Sequence, residues 1–214
     1  MSSIDFSNYQ CIYPKLTLKG EPRAHPCVCK NKPWDCKSFK GLKQQIKKKL
    51  KADFDLRCSY CLRKFSEDED IIVHIEHVLP KDVYTKYTFD DRNLALSCPR
   101  CNTGSQKGTR VDFIYNLLSG KNYDEAVDFA LNNYMFIHPV LENNINFYQL
   151  ISLDIDNEVF RRYKIIKYHS KLRYTFKFFN LKKIEVGSLD SCMGIPRIQI
   201  QRLKDKYLRI PTQI

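Results

Sequence analysis

Four cysteines form two Cys-x-x-Cys pairs in the middle of the chain, Cys58 with Cys61 and Cys98 with Cys101. Thiolates two residues apart can bind one zinc ion from a tight turn, and two such turns complete a closed, structural site. Residues 62–97, between the pairs, are too many for a simple zinc ribbon and must hold a structural insert. The spacing predicts a structural Zn²⁺ site, and the alternative is four buried free thiols.

Residues inside and just after this insert could hydrolyse a phosphodiester bond. A neutral imidazole can take a proton from water near physiological pH, so His77 is a candidate general base. Mg²⁺ or Mn²⁺ prefers oxygen ligands, which Glu76 and Asn102 can supply, and such an ion would stabilise the charge of the transition state. The alternatives are a structural role for His77, and turn or cap roles for Asn102 and for Asn93.

Residues 55–115 resemble the HNH nuclease family, a branch of the ββα-metal nucleases. Three motifs carry the resemblance: Glu76-His77 at a strand end, Asn93 at the start of the next strand, and Cys-x-x-Cys followed directly by Asn102. The resemblance implies an α+β fold, with a zinc-stapled ββα core, mainly helical flanking regions and a mixed C-terminal region. It also implies that Asn93 orients His77 through hydrogen bonds to the backbone, and that Asn102 is an amide ligand of the catalytic ion at a helix start.

Basic residues near these motifs are candidate phosphate ligands. Family members often carry a lysine close behind the final asparagine, but here Lys107 comes later in the run Asn102-Thr-Gly-Ser-Gln-Lys107. Arg110 is therefore an equal candidate for the phosphate contact. Lys81, which follows the His77 motif, is a third candidate nucleic-acid-binding residue.

The charge of the chain points to a polyanionic partner. Lysine and arginine number 36 against 24 aspartates and glutamates, for a net charge of +12. This excess favours a nucleic-acid partner over a merely basic surface, and the family resemblance implies that the nucleic acid is DNA. A helix predicted over 38–53 places five lysines mostly away from its apolar stripe, namely Lys40, Lys43, Lys47, Lys48 and Lys51. These lysines either face solvent or contact phosphates.

Hydrophobic patterning predicts the remaining elements. Strands are expected over 71–78 and 93–97, and helices over 101–118 and 123–134, the second capped by Asn122. Alternation of Tyr174, Phe176 and Phe178 predicts a strand, and Pro196 opens a final helix that ends near Tyr207. The chain divides into an N-terminal segment with a basic helix (1–54), a nuclease core (55–119) and a C-terminal accessory, partner-docking region (120–214).

Other metal-binding residues and targeting signals are weaker. His25, Cys27, Cys29 and Cys36 could bind a second metal, although free thiols are the alternative. His74 lies three residues before His77 and is interpreted as structural. No secretory signal and no membrane span is evident, so we expect a cytoplasmic protein that does not enter a membrane, where cysteines serve as metal ligands.

Two C-terminal segments extend the resemblance to HNH nucleases of anti-phage defence. Phe136-Ile-His-Pro139 and the run from Lys171 to Leu181 are similar to parts of nucleases that act beside an ABC-type ATPase in Septu and retron systems. The resemblance implies a DNA-cleaving effector whose tail docks on such an ATPase. The alternatives are a tail that completes the core, a restriction or homing-type nuclease that acts alone, and a non-catalytic zinc-dependent nucleic-acid-binding module.

Overall fold

The computed structural model describes residues 33–66, 70–104, 106–117, 123–155 and 158–187. The fold is a mixed α+β arrangement of small sheets and few helices, as predicted. In chain order its elements are α1 (Lys40–Asp53), β1 (His74–His77), β2 (Leu94–Ser97), α2 (Pro99–Asn102), α3 (Glu125–Asp128), β3 (Tyr148–Ile155), β4 (Glu158–Ile165), α4 (Leu172–Phe178) and β5 (Val186–Gly187). Short 3₁₀ turns join them.

Helix α1 forms because its lysines, glutamines and leucines have high helix propensity and its apolar residues share one face. Leu42, Ile46 and Leu50 are buried, and the helix packs against both β1 and β2. It stops where Asp55 and Leu56 take left-handed backbone angles, with φ of 48° and 51°. The prediction of a helix over 38–53 is confirmed, with a 3₁₀ turn over its first residues.

Strands β1 and β2 pair antiparallel, with His74 opposite Ser97 and His77 opposite Leu94. The second predicted strand is confirmed, but the first is shorter than predicted. Residues Asp70–Ile72 form a 3₁₀ turn, and Ile71 is 92% exposed, so this apolar run has no partner strand to bury it. The hairpin is the element that positions Glu76 and His77.

The helix predicted over 101–118 is wrong. Among the described residues of this stretch, only those of α2 are helical, and residues on both sides of Lys107 form turns and bends that bring it into the interior. Gly108 takes a φ of +49°, and a Cβ at this position would lie 2.9 Å from the Cα of Gly104. The backbone turns tightly at Gly108, with a left-handed conformation that glycine adopts without steric cost, and such a turn is incompatible with a continuing helix.

Two other predicted elements differ from the structure. The predicted helix over 123–134 is reduced to α3 and a 3₁₀ turn over Leu131–Asn133. Asp128, at the end of α3, is fully buried and accepts a hydrogen bond from the Tyr87 hydroxyl. The cap of α3 is Asp124, which accepts from the Ala126 amide, while Asn122 lies outside the described residues. The strand predicted from alternating aromatics is the helix α4, where Leu172 and Phe176, four residues apart, are both buried.

The C-terminal part of the chain covers the cysteine turns. Strands β3, β4 and β5 form one antiparallel sheet. From this region the Phe179 ring stacks on Tyr60 at 4.1 Å, and the hydroxyls of Tyr148 and Tyr163 donate to the carbonyls of Tyr60 and Cys61. Residues 123–187 thus share one hydrophobic core with the first cysteine turn. Within the described ranges, no helix is long and apolar enough to cross a membrane.

Candidate active site and zinc centre

The two cysteine pairs meet at one point beneath the hairpin. Cys58, Cys61, Cys98 and Cys101 are all buried, and their sulfur atoms lie within 4.8 Å of one another. Cys61 and Cys98 Sγ are 3.8 Å apart, which is about the S–S edge of a tetrahedron with 2.3 Å zinc–sulfur bonds. The donor set and its geometry therefore fit a four-coordinate structural zinc ion.

The Arg63 side chain favours a thiolate at Cys98. The Arg63 guanidinium donates to Cys98 Sγ at 3.4 Å. Hydrogen bonds with the Cys101, Cys58 and Cys61 thiols, together with that of Arg63, lower the pKa of Cys98. Zinc binds thiolate, so groups that favour the deprotonated form favour the metal.

The other proposed metal centre falls largely outside the described ranges. His25, Cys27 and Cys29 are not among the described residues, and Cys36 is buried beside α1. In the described part of the chain, the four central cysteines are the one group of three or more His, Cys, Asp or Glu side chains close enough to share an ion.

An open cleft of about 620 Å³ lies between α1 and the hairpin. Four of the predicted site residues line it: Glu76, His77, Asn102 and Lys81. Helix α1 and β1 form its walls. The residues that line it are Trp34, Lys40, Lys43, Gln44, Lys47, Asp70, Val73, His74, Ile75, Glu76, His77, Pro80, Lys81, Asp82, Asn102, Gly108 and Thr109.

His77 is held with one ring nitrogen committed to the backbone. Its Nε2 lies 2.9 Å from the Thr88 carbonyl, which can only accept, so Nε2 carries the proton and Nδ1 keeps its lone pair. Nδ1 has no hydrogen-bond partner among the described residues. Burial lowers the pKa of His77 to about 3, with the Lys107 and Lys81 charges adding to the effect. The ring is therefore neutral at physiological pH, which is the form a general base requires.

Asn93 holds the loop that carries the partner of His77. Its side chain is fully buried: Oδ1 accepts from the Leu79 amide at 2.6 Å, and Nδ2 donates to the carbonyls of Leu79 and Tyr87 at 3.0 Å each. Tyr87 precedes Thr88, and Leu79 lies two residues after His77. Asn93 thus joins both sides of the His77–Thr88 contact.

Glu76 points to the other face of the strand from His77 and is 2% exposed. Its Oε1 accepts from the Tyr60 hydroxyl at 3.1 Å and pairs with Lys107 Nζ at 2.6 Å. Burial raises the pKa of Glu76, and Lys107 and Tyr60 oppose that rise. Both contacts use Oε1, so Oε2 is the atom that Glu76 can offer to an ion.

Asn102 is the last residue of α2, a single helical turn. The prediction placed it at the start of a helix, whereas it lies at the end of one. Its Nδ2 lies 3.4 Å from His74 Nδ1, and the residue lines the cleft, so Oδ1 is the atom that Asn102 could offer to an ion. A carboxylate oxygen and an amide oxygen suit Mg²⁺ or Mn²⁺, which keep several water ligands. The donor chemistry therefore fits the predicted divalent ion.

The three residues predicted to contact phosphate, Lys81, Lys107 and Arg110, lie in different surroundings. Lys107 has no exposed surface: besides Glu76, its Nζ donates to the His77 carbonyl at 2.7 Å. Lys107 is therefore not among the residues that line the cleft, and its phosphate contact stays a prediction. Arg110 lies outside the cleft and binds Asp112, with Nε 2.9 Å from Oδ1. Of the three, Lys81 alone lines the cleft.

Two residues that line the cleft, His74 and Trp34, were not among the predicted site residues. The sequence predicts a structural role for His74, yet its side chain contacts Asn102 inside the cleft. The signal was available, because residues two apart on a strand share a face and His74 is two residues before Glu76. Trp34 lies 43 residues before His77 in the chain and contacts its ring edge-on at 4.5 Å, which no local pattern could indicate.

Comparison with known proteins agrees with this geometry. Residues 58–108 match the family model described as HNH endonuclease, so this part of the chain is an HNH-type domain. Its bounds include both cysteine pairs, the β1–β2 hairpin and Lys107.

A relative is the Septu protein PtuB from Bacillus thuringiensis, 40% identical over 67 residues. The alignment covers 31% of this chain and 25% of the relative. This likeness agrees with the resemblance to the anti-phage defence type of HNH nuclease. No solved structure matches the chain.

Proposed function

We propose that the protein is a metal-dependent HNH endonuclease that hydrolyses phosphodiester bonds of DNA, and that it is an effector of anti-phage defence. The observation that carries the proposal is the His77 ring, neutral and fixed through Nε2, with Nδ1 available in a cleft that also holds Glu76 and Asn102. This set provides a base and oxygen ligands for a hard metal ion within one cleft, which a purely binding module does not need.

The chain's residues divide the work of hydrolysis. His77 Nδ1 accepts a proton from the attacking water, which forms a bond to phosphorus as the bond to the 3′ oxygen breaks. Asn93 and the Thr88 carbonyl keep the imidazole in the tautomer that can do so. Glu76 Oε2 and Asn102 Oδ1 would hold the divalent ion. When bound, that ion neutralises charge on the phosphate and on the leaving oxygen.

The proposal includes a partner. We infer from the likeness to the Septu protein that the nuclease works with an ABC-type ATPase, which docks on the C-terminal region beginning near residue 120. Because residues 123–187 also complete the core, the partner would contact their outer surface. Co-purification with an ATPase encoded beside it supports this arrangement, whereas full phage protection without any such partner contradicts it.

Replacing the base tests the activity. We expect His77→Ala to slow Mg²⁺- or Mn²⁺-dependent plasmid cleavage by about 10²- to 10⁴-fold, with zinc content and circular dichroism unchanged. His169→Ala is the matched control, since His169 pairs with Glu142 outside the cleft and its loss should leave cleavage intact. Equal cleavage by the wild type and His77→Ala refutes the mechanism. Sequencing the cut ends separates this reading from a site-specific restriction-type nuclease.

A further inference from the structure

One face of α1 forms the cleft wall opposite the catalytic hairpin. Lys40, Lys43, Gln44 and Lys47 all line the cleft, at spacings of three, four and seven residues that place them on one side of the helix. These residues precede the HNH domain of 58–108. The wall therefore lies outside the HNH domain, in the part of the chain that precedes it.

The lysines of this wall differ in whether a carboxylate neutralises them. In the described part of the chain, neither Lys40 nor Lys43 has a carboxylate within ion-pair distance, whereas Lys47 shares Asp70 with Lys51, at 2.9 and 2.6 Å. The other two acidic residues that line the cleft are also paired, Asp82 with Lys81 at 3.3 Å and Glu76 with Lys107 at 2.6 Å. Two cations on the wall thus remain uncompensated.

Trp34 connects the wall to the catalytic ring. Lys43 Nζ donates to the Trp34 carbonyl at 3.1 Å and lies 5.5 Å from the centre of its ring. The same indole meets His77 edge-on at 4.5 Å and Phe89 at 5.6 Å. Trp34 therefore contacts both Lys43 and His77, the proposed base, and links the two side chains.

We propose that Lys40 and Lys43 bind the phosphodiester backbone of the DNA strand that is cut, with Trp34 as the residue that positions Lys43 beside His77. The inference rests on the proposed function for the class of ligand. The two lysines lie three residues apart on one side of α1, so both ammonium groups can reach the same DNA strand. They therefore suit neighbouring phosphates, and the contact is independent of base sequence.

Binding is measured with a fluorescein-labelled 20-base-pair DNA duplex and the full-length protein carrying His77→Ala, which prevents cleavage. In that background, Lys40→Ala with Lys43→Ala should weaken binding about tenfold at 0.1 M salt. It should also reduce the slope of log affinity against log salt by about 1.8, since each phosphate contact contributes about 0.9. Lys48→Ala is the matched control, because Lys48 is an exposed lysine of α1 that does not line the cleft.

A second readout uses Trp34, the single tryptophan of the chain. Its fluorescence should change on addition of the duplex and should change far less in the doubly substituted protein at the same DNA concentration. Affinity and salt slope equal to those of the Lys48→Ala control, or no DNA binding by the parent protein, overturn the inference. Lysine-dependent binding without His77-dependent cleavage instead leaves the inference standing and overturns the proposed function.

Discussion

Replacing Lys107 by methionine tests the most unexpected contact of the site. The substitution keeps a long, unbranched side chain but removes the ammonium group that pairs with Glu76 at 2.6 Å, where both side chains are at most 2% exposed. Removing one partner of a buried ion pair leaves an uncompensated charge and costs about 3–5 kcal/mol. For a chain of this size the melting temperature should fall by about 6–20 °C.

The control for Lys107→Met is the same change at a partly exposed cleft lysine. Lys81→Met should alter the free energy of unfolding by less than about 0.5 kcal/mol, because Lys81 makes only a surface pair with Asp82. Adding Glu76→Gln to Lys107→Met should recover much of the lost stability, since the neutral amide removes the unpaired charge and can still accept from Tyr60.

Urea unfolding of the zinc-loaded protein, followed by circular dichroism, measures all of these variants. A loss below about 1 kcal/mol for Lys107→Met, similar to that of Lys81→Met, would refute the buried pair. It would also return Lys107 to the surface, where the resemblance to the family had placed it as a phosphate ligand. Loss of stability without recovery in the double variant would mean that packing, and not charge, holds Lys107.

Two further substitutions test the zinc centre and the loop. Cys58→Ser should lose zinc and soluble folding together, because zinc binding contributes folding free energy directly; metal analysis with circular dichroism checks this, and a folded, zinc-free variant contradicts it. Asn93→Ala should cost about 3 kcal/mol in urea unfolding, since it leaves the buried Leu79 amide without its acceptor, and should slow cleavage more than the Lys48→Ala control. Unchanged stability and cleavage would remove Asn93 from the positioning of His77.

Local sequence patterns located the elements whose signals are strong and short-range. Lysine-rich α1 with its apolar stripe, and the β-branched strand before Pro80, lie close to where they were predicted. Patterns failed where tertiary contacts decide: the aromatic alternation of Tyr174 to Phe178 suits a strand, but the residues four apart fill the core as the helix α4. The stretch after Asn102 looks helical by its apolar spacing, yet burial of Lys107 draws it into turns.

Residue types and short spacings are enough to predict the reactive groups: two Cys-x-x-Cys pairs that can share an ion, and Glu76-His77 with two asparagines at spacings typical of an HNH nuclease. These are properties of positions a few residues apart. Which of the groups meet depends on the packing of the chain. This packing turned Lys107 inward to Glu76, brought His74 to Asn102, and set Trp34 with the α1 lysines against His77. Such contacts join distant segments and depend on how helices and strands pack, which no local spacing specifies.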